Sequence, residues 1–120
     1  MVGWFEIPVN DIDRAKTFYE AVFEIEIKVQ NFDGTLMGWF PDNDGVYGAT
    51  GSLVKQGAYV PSENGTLVYF MSKDVQIELD RVEAVGGKIY QKKTKISEEH
   101  GCMGVFIDCE GNRVALHSNT

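Results

Sequence analysis

The sequence predicts an α+β fold built from two tandem strand–helix–three-strand (βαβββ) modules, and three observations carry that expectation. The first is a repeat. Met37-Gly38-Trp39-Phe40-Pro41-Asp42-Asn43-Asp44-Gly45 returns 66 residues later as Met103-Gly104-Val105-Phe106-Ile107-Asp108-Cys109-Glu110-Gly111. Five identities and one acidic match in nine positions point to a duplicated unit, and each copy reads as a β-prone run entering an acidic, glycine-containing turn. The second observation is a helical stripe that opens behind an aspartate in each half. The third is one linker-like segment, residues 56–65, where Gly57, Pro61, Ser62, Asn64 and Gly65 gather.

In chain order, Trp4 to Val9 is an apolar, β-prone run. Asn10-Asp11 follows and can cap a helix. Ile12, Ala15, Phe18, Tyr19, Val22 and Phe23 then recur at helical spacing, with Asp13, Arg14, Lys16 and Glu20 on the other face, so a helix is expected from Asp11 to Phe23. Ile25 to Val29 alternates as a strand does, Phe32 to Thr35 reads as a turn, and Leu36 to Phe40 as a strand. Pro41 to Gly45 is the expected hairpin and Val46 to Val54 the last strand of module 1–55. Module 66–120 repeats the order: a strand from Thr66 to Met71, a helix carrying Val75, Leu79, Val82 and Val85, and Gly86-Gly87 as its stop. A strand is expected at Lys88–Tyr90, a polar loop at 92–101, and two final strands at Met103–Asp108 and Arg113–Ser118. Setting Trp4 on Leu67 puts Asp11 on Asp74 and Ile12 on Val75, so the repeat covers the helix entry as well as the hairpin. A recurring hairpin without duplication would account for the nine positions alone.

Composition narrows the function classes. A chain of 120 residues with 43 % hydrophobic and 24 % charged residues suits one globular domain. Two half-length modules are too small for separate strong cores, so a shared core or a homodimer is expected. Eighteen acidic against 11 basic residues give a net charge of −7, which disfavours nucleic acid and anionic membranes as partners. Lys92, Lys93 and Lys95 form the one basic cluster and read as a solvated face. There is no membrane-length apolar run and no signal pattern at the N-terminus. Cys102 and Cys109 bracket an expected strand and would stand about 23 Å apart on it. Free thiols then suit a cytoplasmic location.

Phe5-Glu6-Ile7-Pro8-Val9-Asn10-Asp11-Ile12-Asp13-Arg14-Ala15-Lys16-Thr17-Phe18-Tyr19, with Val22-Phe23, is similar to the opening strand, aspartate cap and "RA..FY" helix of the vicinal oxygen chelate superfamily. That superfamily includes glyoxalase I, bleomycin-resistance proteins and extradiol dioxygenases. Tyr69-Phe70, Asp74-Val75, Gly86-Gly87-Lys88 and Phe106 to Asn112 resemble its second module. The resemblance covers nearly the whole chain and is closest to the small glyoxalase-like branch. It implies two tandem βαβββ modules forming a curved mixed sheet around a cavity. One such fold hosts several chemistries, so fold alone does not assign activity.

In the superfamily a divalent metal is held by His, Glu or Gln from the first and last strands of each module, because such a cation needs several converging N or O donors. Carried over by the motif and by the 66-residue offset, those places fall on Trp4, Ala49, Leu67 and Ala115, none of which binds metal. No cofactor is therefore expected, apart from a weak divalent metal at Glu6 and His117, which offer only two donors. Period-two alternation puts Glu6, Tyr69 and His117 on the same face as those positions. They are the candidate acid/base groups. Trp4, Tyr47, Leu53, Leu67, Met71 and Arg113 are the candidate substrate-binding residues, an aromatic-rich lining with few polar anchors. Glu6 reads equally as a structural carboxylate paired with Arg113, His117 as an exposed terminal residue, and Tyr69 as a packing aromatic; His100 reads as solvated.

Two functions fit this inventory. One is a lyase or isomerase that abstracts a proton next to a carbonyl, with Glu6 or His117 as base and Tyr69 or Arg113 steadying the oxyanion. The other is a non-catalytic small-molecule binder in the manner of bleomycin-resistance proteins, holding an apolar or cationic compound between aromatic side chains. A dimer with no ligand site is the third, plainer reading.

Overall fold

The computed structural model describes all 120 residues. The chain divides into two compact units, residues 1–61 and 62–120. Each is a βαβββ module with a four-stranded mixed sheet and a helix packed on one face. The first holds β1 (Phe5–Pro8), α1 (Ile12–Phe23), β2 (Lys28–Phe32), β3 (Thr35–Trp39) and β4 (Gly51–Lys55), in sheet order β1-β4-β3-β2. The second holds β5 (Tyr69–Met71), α2 (Val75–Val82), β6 (Lys88–Ser97), β7 (Gly101–Ile107) and β8 (Arg113–Ser118), in the matching order β5-β8-β7-β6. The first and last strands of each module pair parallel and the other pairs are antiparallel.

The helices form where the sequence supplies a cap and a stripe. Asp11 Oδ1 accepts from Arg14 N–H at 3.0 Å, and Asp74 Oδ1 from Gln76 N–H at 3.0 Å. Ile12, Ala15, Phe18, Tyr19 and Val22 bury one side of α1, and Val75, Leu79 and Val82 one side of α2. Tyr19 meets Phe40 edge-on, ring centres 5.5 Å apart, and Phe40 lies 5.5 Å from Phe5, which continues the first core onto the sheet. Ion pairs fasten the ends. Glu20 accepts from Lys16 Nζ and Ile27 N–H, and this pair of bonds, Lys16 first, holds its carboxyl below the ordinary range. Lys93 reaches Asp74 at 2.9 Å, lowering the pKa of Asp74 and raising its own.

The nine-residue repeat has one physical explanation in both modules. Gly38 in β3 and Gly104 in β7 lie on the helix side. A Cβ on Gly38 would stand 2.9 Å from Ile27 Cγ2 and 3.5 Å from Ile12 Cδ1; one on Gly104 would stand 2.8 Å from Leu79 Cδ1. Glycine there lets the helix layer settle onto the sheet. The repeat's aspartate turns the chain: Asp42 Oδ1 accepts from Asp44 N–H at 3.1 Å, Asp108 Oδ1 from Glu110 N–H at 2.8 Å. Its closing glycines, Gly45 and Gly111, both have positive φ, 83° and 97°. In the second module the turn is buried. Asp108 also accepts from Asn112 N–H and Nδ2, and Asn112 Oδ1 accepts from Ser62 N–H at 3.0 Å.

Four elements differ from the sequence expectation. The strand expected at Ile25–Val29 begins only at Lys28 and runs on to Phe32: Glu24 closes α1 in the left-handed region, and Ile27 is buried over Gly38 as a plug. The turn that follows, Asp33-Gly34, has φ of 54° and 93°, the two positive values of a type I′ hairpin. The expected strand at Val46–Val54 begins only at Gly51, because residues 46–50 belong to a loop tied by Thr50 Oγ1 to Pro41 O at 2.7 Å and Val46 N–H to Asn43 O at 2.8 Å. β5 is shorter than expected. The polar loop at 92–101 is mostly strand, because β6 is a lysine-rich sheet edge that pairs with β7 through register shifts. Cys102 and Cys109 are free thiols, and no helix is long and apolar enough to cross a membrane.

Two stability outcomes follow. Gly104→Ala should cost about 1–3 kcal/mol by overpacking, and Leu79→Ala should cost less in that background than in the parent, because the space has been relieved; strictly additive urea-denaturation midpoints would contradict the account. Asp108→Ala should destabilise by about 2–4 kcal/mol, leaving buried donors unmet. Asp42→Ala, at the exposed copy of the same turn, should cost about 1 kcal/mol or less; equal losses would show that burial is not what distinguishes the two.

Candidate functional site

Residues directly opposite each other in a sheet share a face, so the strand registers divide each module into a helix side and an open side. In the first module Ile7, Leu53 and Gly38 are paired on the helix side. Glu6, Ser52 and Trp39 are paired on the open side, where Trp4 and Phe32 follow by alternation. Trp4 packs edge-on against Trp39 with ring centres 6.0 Å apart and planes at 79°, and Phe32 stacks on Trp39 at 5.8 Å and 18°. The three rings are 41 %, 38 % and 49 % exposed for Trp4, Trp39 and Phe32, so a continuous aromatic stripe stands in solvent. Among these rings lies an unmet polar group. Ser52 is fully buried and its Oγ has no hydrogen-bond partner. Glu6, paired with Ser52, is exposed and makes no ion pair within its module.

In the second module Tyr69, Ala115 and Val105 share the open side, as do Met71, His117 and Met103. Tyr69 and Met71 are exposed and His117 half-buried. His117 Nε2 donates to the His100 carbonyl at 2.6 Å, which fixes the proton of the neutral ring on Nε2 and leaves Nδ1 as an acceptor. Arg113, two residues before Ala115, joins the same side. Its Nε is buried with no partner, and its guanidinium carbon stands 5.9 Å from the centre of the Tyr90 ring.

Each sequence-predicted residue now has a place. Trp4 and Glu6 stand on the first open face; Tyr69, Met71, Arg113 and His117 on the second. Leu67 precedes β5 and is half-buried. Leu53 is a correction: it is wholly buried on the helix side beside Gly38 and lines no open face. Tyr47 is another: it lies in the loop before β4, 86 % exposed, because the strand begins later than expected. Ala49 is a third. Met37 pairs with Val54 and Met103 with His117, so the offset between modules is 66 residues at β3/β7 but 63 at β4/β8. The first-module counterpart of Ala115 is therefore Ser52, and Ala49 belongs to the longer first loop. Trp39, Phe32, Ser52 and Tyr90 escaped the sequence reading. The alternation Gly38-Trp39 held the signal for Trp39, once Gly38 was known to face the helix.

The positions that the resemblance assigns to metal ligands hold Trp4 and Ser52 in the first module and Leu67 and Ala115 in the second. Their donor chemistry does not fit a divalent cation, since they hold one hydroxyl and no His or carboxylate. Nowhere do three His, Cys, Asp or Glu side chains converge. The first module also has an open cleft of about 290 Å³ at the far end of β4, lined by Asn10, Leu36, Lys55 and Tyr59 among others; none of the predicted site residues lines it.

Comparisons with known proteins agree with this architecture. A family model described as bleomycin resistance protein-like N-terminal matches residues 2–28. A glyoxalase/bleomycin resistance protein from Albidiferax ferrireducens T118 superposes with a TM-score of 0.73 at 16 % identity over 100 % of this chain and 99 % of that one. A glyoxylase/bleomycin resistance protein/dioxygenase domain from Frankia sp. EAN1pec gives 0.76 at 14 % identity over 100 % and 98 %. The chain has the glyoxalase/bleomycin resistance/dioxygenase fold. A glyoxalase I mutant from Zea mays gives 0.76 at 19 % identity over 98 % of this chain. The chain spans about half of that protein, 46 % of its length. No curated protein matches in sequence. At these identities the likeness is one of fold, and the chemistry has to be read from the open faces.

Proposed function

We propose that the protein is a small-molecule binder whose first module holds a planar, cationic or apolar compound on the Trp4–Trp39–Phe32 stripe. The observation that carries this reading is the stripe together with the buried, unpartnered Ser52 hydroxyl beneath it. Exposed aromatic area offers a large apolar contact and negative ring faces suited to cations. The hydroxyl supplies a hydrogen bond that a ligand can complete. Glu6, an unpaired carboxylate on the same face, favours positive charge at the β1 end of the row, while Lys28, opposite Trp39, stands at the β2 end.

Both tryptophans of the chain, Trp4 and Trp39, belong to this face, so tryptophan fluorescence, excited selectively over tyrosine, reports on it. Titration with N-methylacridinium, a planar aromatic cation, should quench that fluorescence saturably. Trp4→Ala should weaken binding about tenfold or more, followed through Trp39, and Ser52→Ala by about three- to tenfold. Glu6→Gln and His117→Ala should keep it within a few-fold. A variant Trp4→Ala that binds as well as the parent contradicts the proposal.

A second reading has its own observation. The His100 carbonyl orients His117 so that Nδ1 can accept a proton, with the Tyr69 phenol on the same face, which supports proton abstraction next to a carbonyl. Deuterium wash-in at the carbon next to the carbonyl of hydroxyacetone should then run faster with the parent than with His117→Gln. Equal rates would remove the catalytic reading and leave the binding one standing.

A further inference from the structure

The second sheet is electrically one-sided. Its strands, Tyr-Phe-Met, Lys-Ile-Tyr-Gln-Lys-Lys-Thr-Lys-Ile-Ser, Gly-Cys-Met-Gly-Val-Phe-Ile and Arg-Val-Ala-Leu-His-Ser, contain no Asp or Glu. Yet the chain as a whole has 18 acidic residues against 11 basic ones. Lys93 is neutralised by Asp74 and Lys95 by Glu98. Lys88, Lys92 and Arg113 enter no ion pair. Lys88 and Arg113 flank Ile107 in one cross-strand row, Lys88 opposite Ile107 and Ile107 opposite Arg113. Both cations therefore stand on the open side at one end of the sheet.

Arg113 is the informative one. Its Nε is buried and donates to nothing. Leaving such a donor unmet is costly, and a charged one more so. The register shift between Ile89 and Gln91 makes Tyr90 the extra residue of a bulge, and this sets its ring 5.9 Å from the guanidinium carbon. A bulge commonly re-aims a side chain in this way. The ring stands beside the guanidinium, and the Nε–H has no acceptor in the structure. Nε–H and the adjacent Nη–H lie along one edge with the spacing of two oxygens of a carboxylate or phosphate, the side-on bidentate pairing that arginine makes and lysine does not.

We propose that this end of the second module's open face is an oxyanion site: Arg113 receives the carboxylate or phosphate of a small molecule in bidentate fashion, Tyr90 holds the guanidinium plane, and Lys88 adds a second positive charge. The proposal stands on the second module only and does not rest on the aromatic face of the first.

The test uses the 15N-labelled full chain titrated with sodium benzoate and, separately, with inorganic phosphate, at constant ionic strength made up with chloride. The Arg113 Nε–H signal, assigned by its loss in Arg113→Lys, should shift saturably with one or both anions, and so should the Val114 and Ala115 backbone amides. In Arg113→Gln the amide titration should weaken about tenfold or more, and in Lys88→Met about two- to fivefold, as expected for a direct bidentate partner and a more distant charge. Saturation by benzoate alone assigns a carboxylate, by phosphate alone a phosphate, and either supports the site. No saturable Nε–H shift with either anion overturns it, as does an unchanged amide titration in Arg113→Gln. Should Arg113→Gln fail to fold, the parent's Nε–H response decides.

Discussion

A helix-facing glycine in the third strand of each module is the constraint on which the rest of the structure depends. Gly38 and Gly104 leave room for Ile27 and Leu79, and that room sets how closely the helix layer approaches the sheet. Close approach on one side has a consequence on the other. Because side chains alternate, glycine on the helix side puts Trp39 on the open side of β3 and Met103 and Val105 on the open side of β7. Most of the core lies on the helix side with α1 and α2, while the open faces bury Val54, Val105 and Ala115 and also carry aromatics and unpaired polar groups. A folding requirement thus decides which residues are available for binding.

The two open faces then diverge in character. The first carries three stacked or edge-on rings, an unpaired carboxylate and a buried hydroxyl with no partner. The second carries unpaired cations and an oriented imidazole, with no carboxylate in its strands. Each face has one buried polar atom without a partner, Ser52 Oγ on β4 and Arg113 Nε on β8. Buried polar groups are almost always satisfied in folded proteins, and the two exceptions both sit on last strands and on open faces. One scaffold occurs twice, and the residues turned outward on it differ: aromatic rings with both Glu6 and Lys28 on the first face, cations without a carboxylate on the second.

Much of the fold was legible in the sequence because it rests on local signals: an aspartate cap, a period of 3.6 in two helices, and a nine-residue repeat with glycines at defined places. What escaped depended on long-range pairing. The alternation at Ile25–Val29 looked like a strand, but Ile27 is buried by contact with Gly38, a residue across the sheet. The strand expected from Val46 failed because side-chain bonds such as Thr50 to Pro41 hold those residues in a loop. The site inherited that error. An offset carried unchanged from β3 to β4 selected Ala49 and Tyr47, whereas the observed register selects Ser52. Leu53, Trp39 and Tyr90 could be assigned to a face only once the pairing partners and the bulge were known. Residues anchored to β1, β5 and β8, such as Glu6, Tyr69 and His117, need only short-range alternation to be assigned to a face of their own module.

The central claim is that the first open face is a ligand site and not only the outer surface of a small sheet. The two indole N–H signals of the 15N-labelled protein test it most directly, because Trp4 and Trp39 hold the two ends of the edge-on contact. On addition of N-methylacridinium the account predicts that both signals move together along one saturable curve, with the Ser52 amide following the same curve. Signals that stay fixed, or that drift linearly without saturation while distant amides drift alongside, would contradict it.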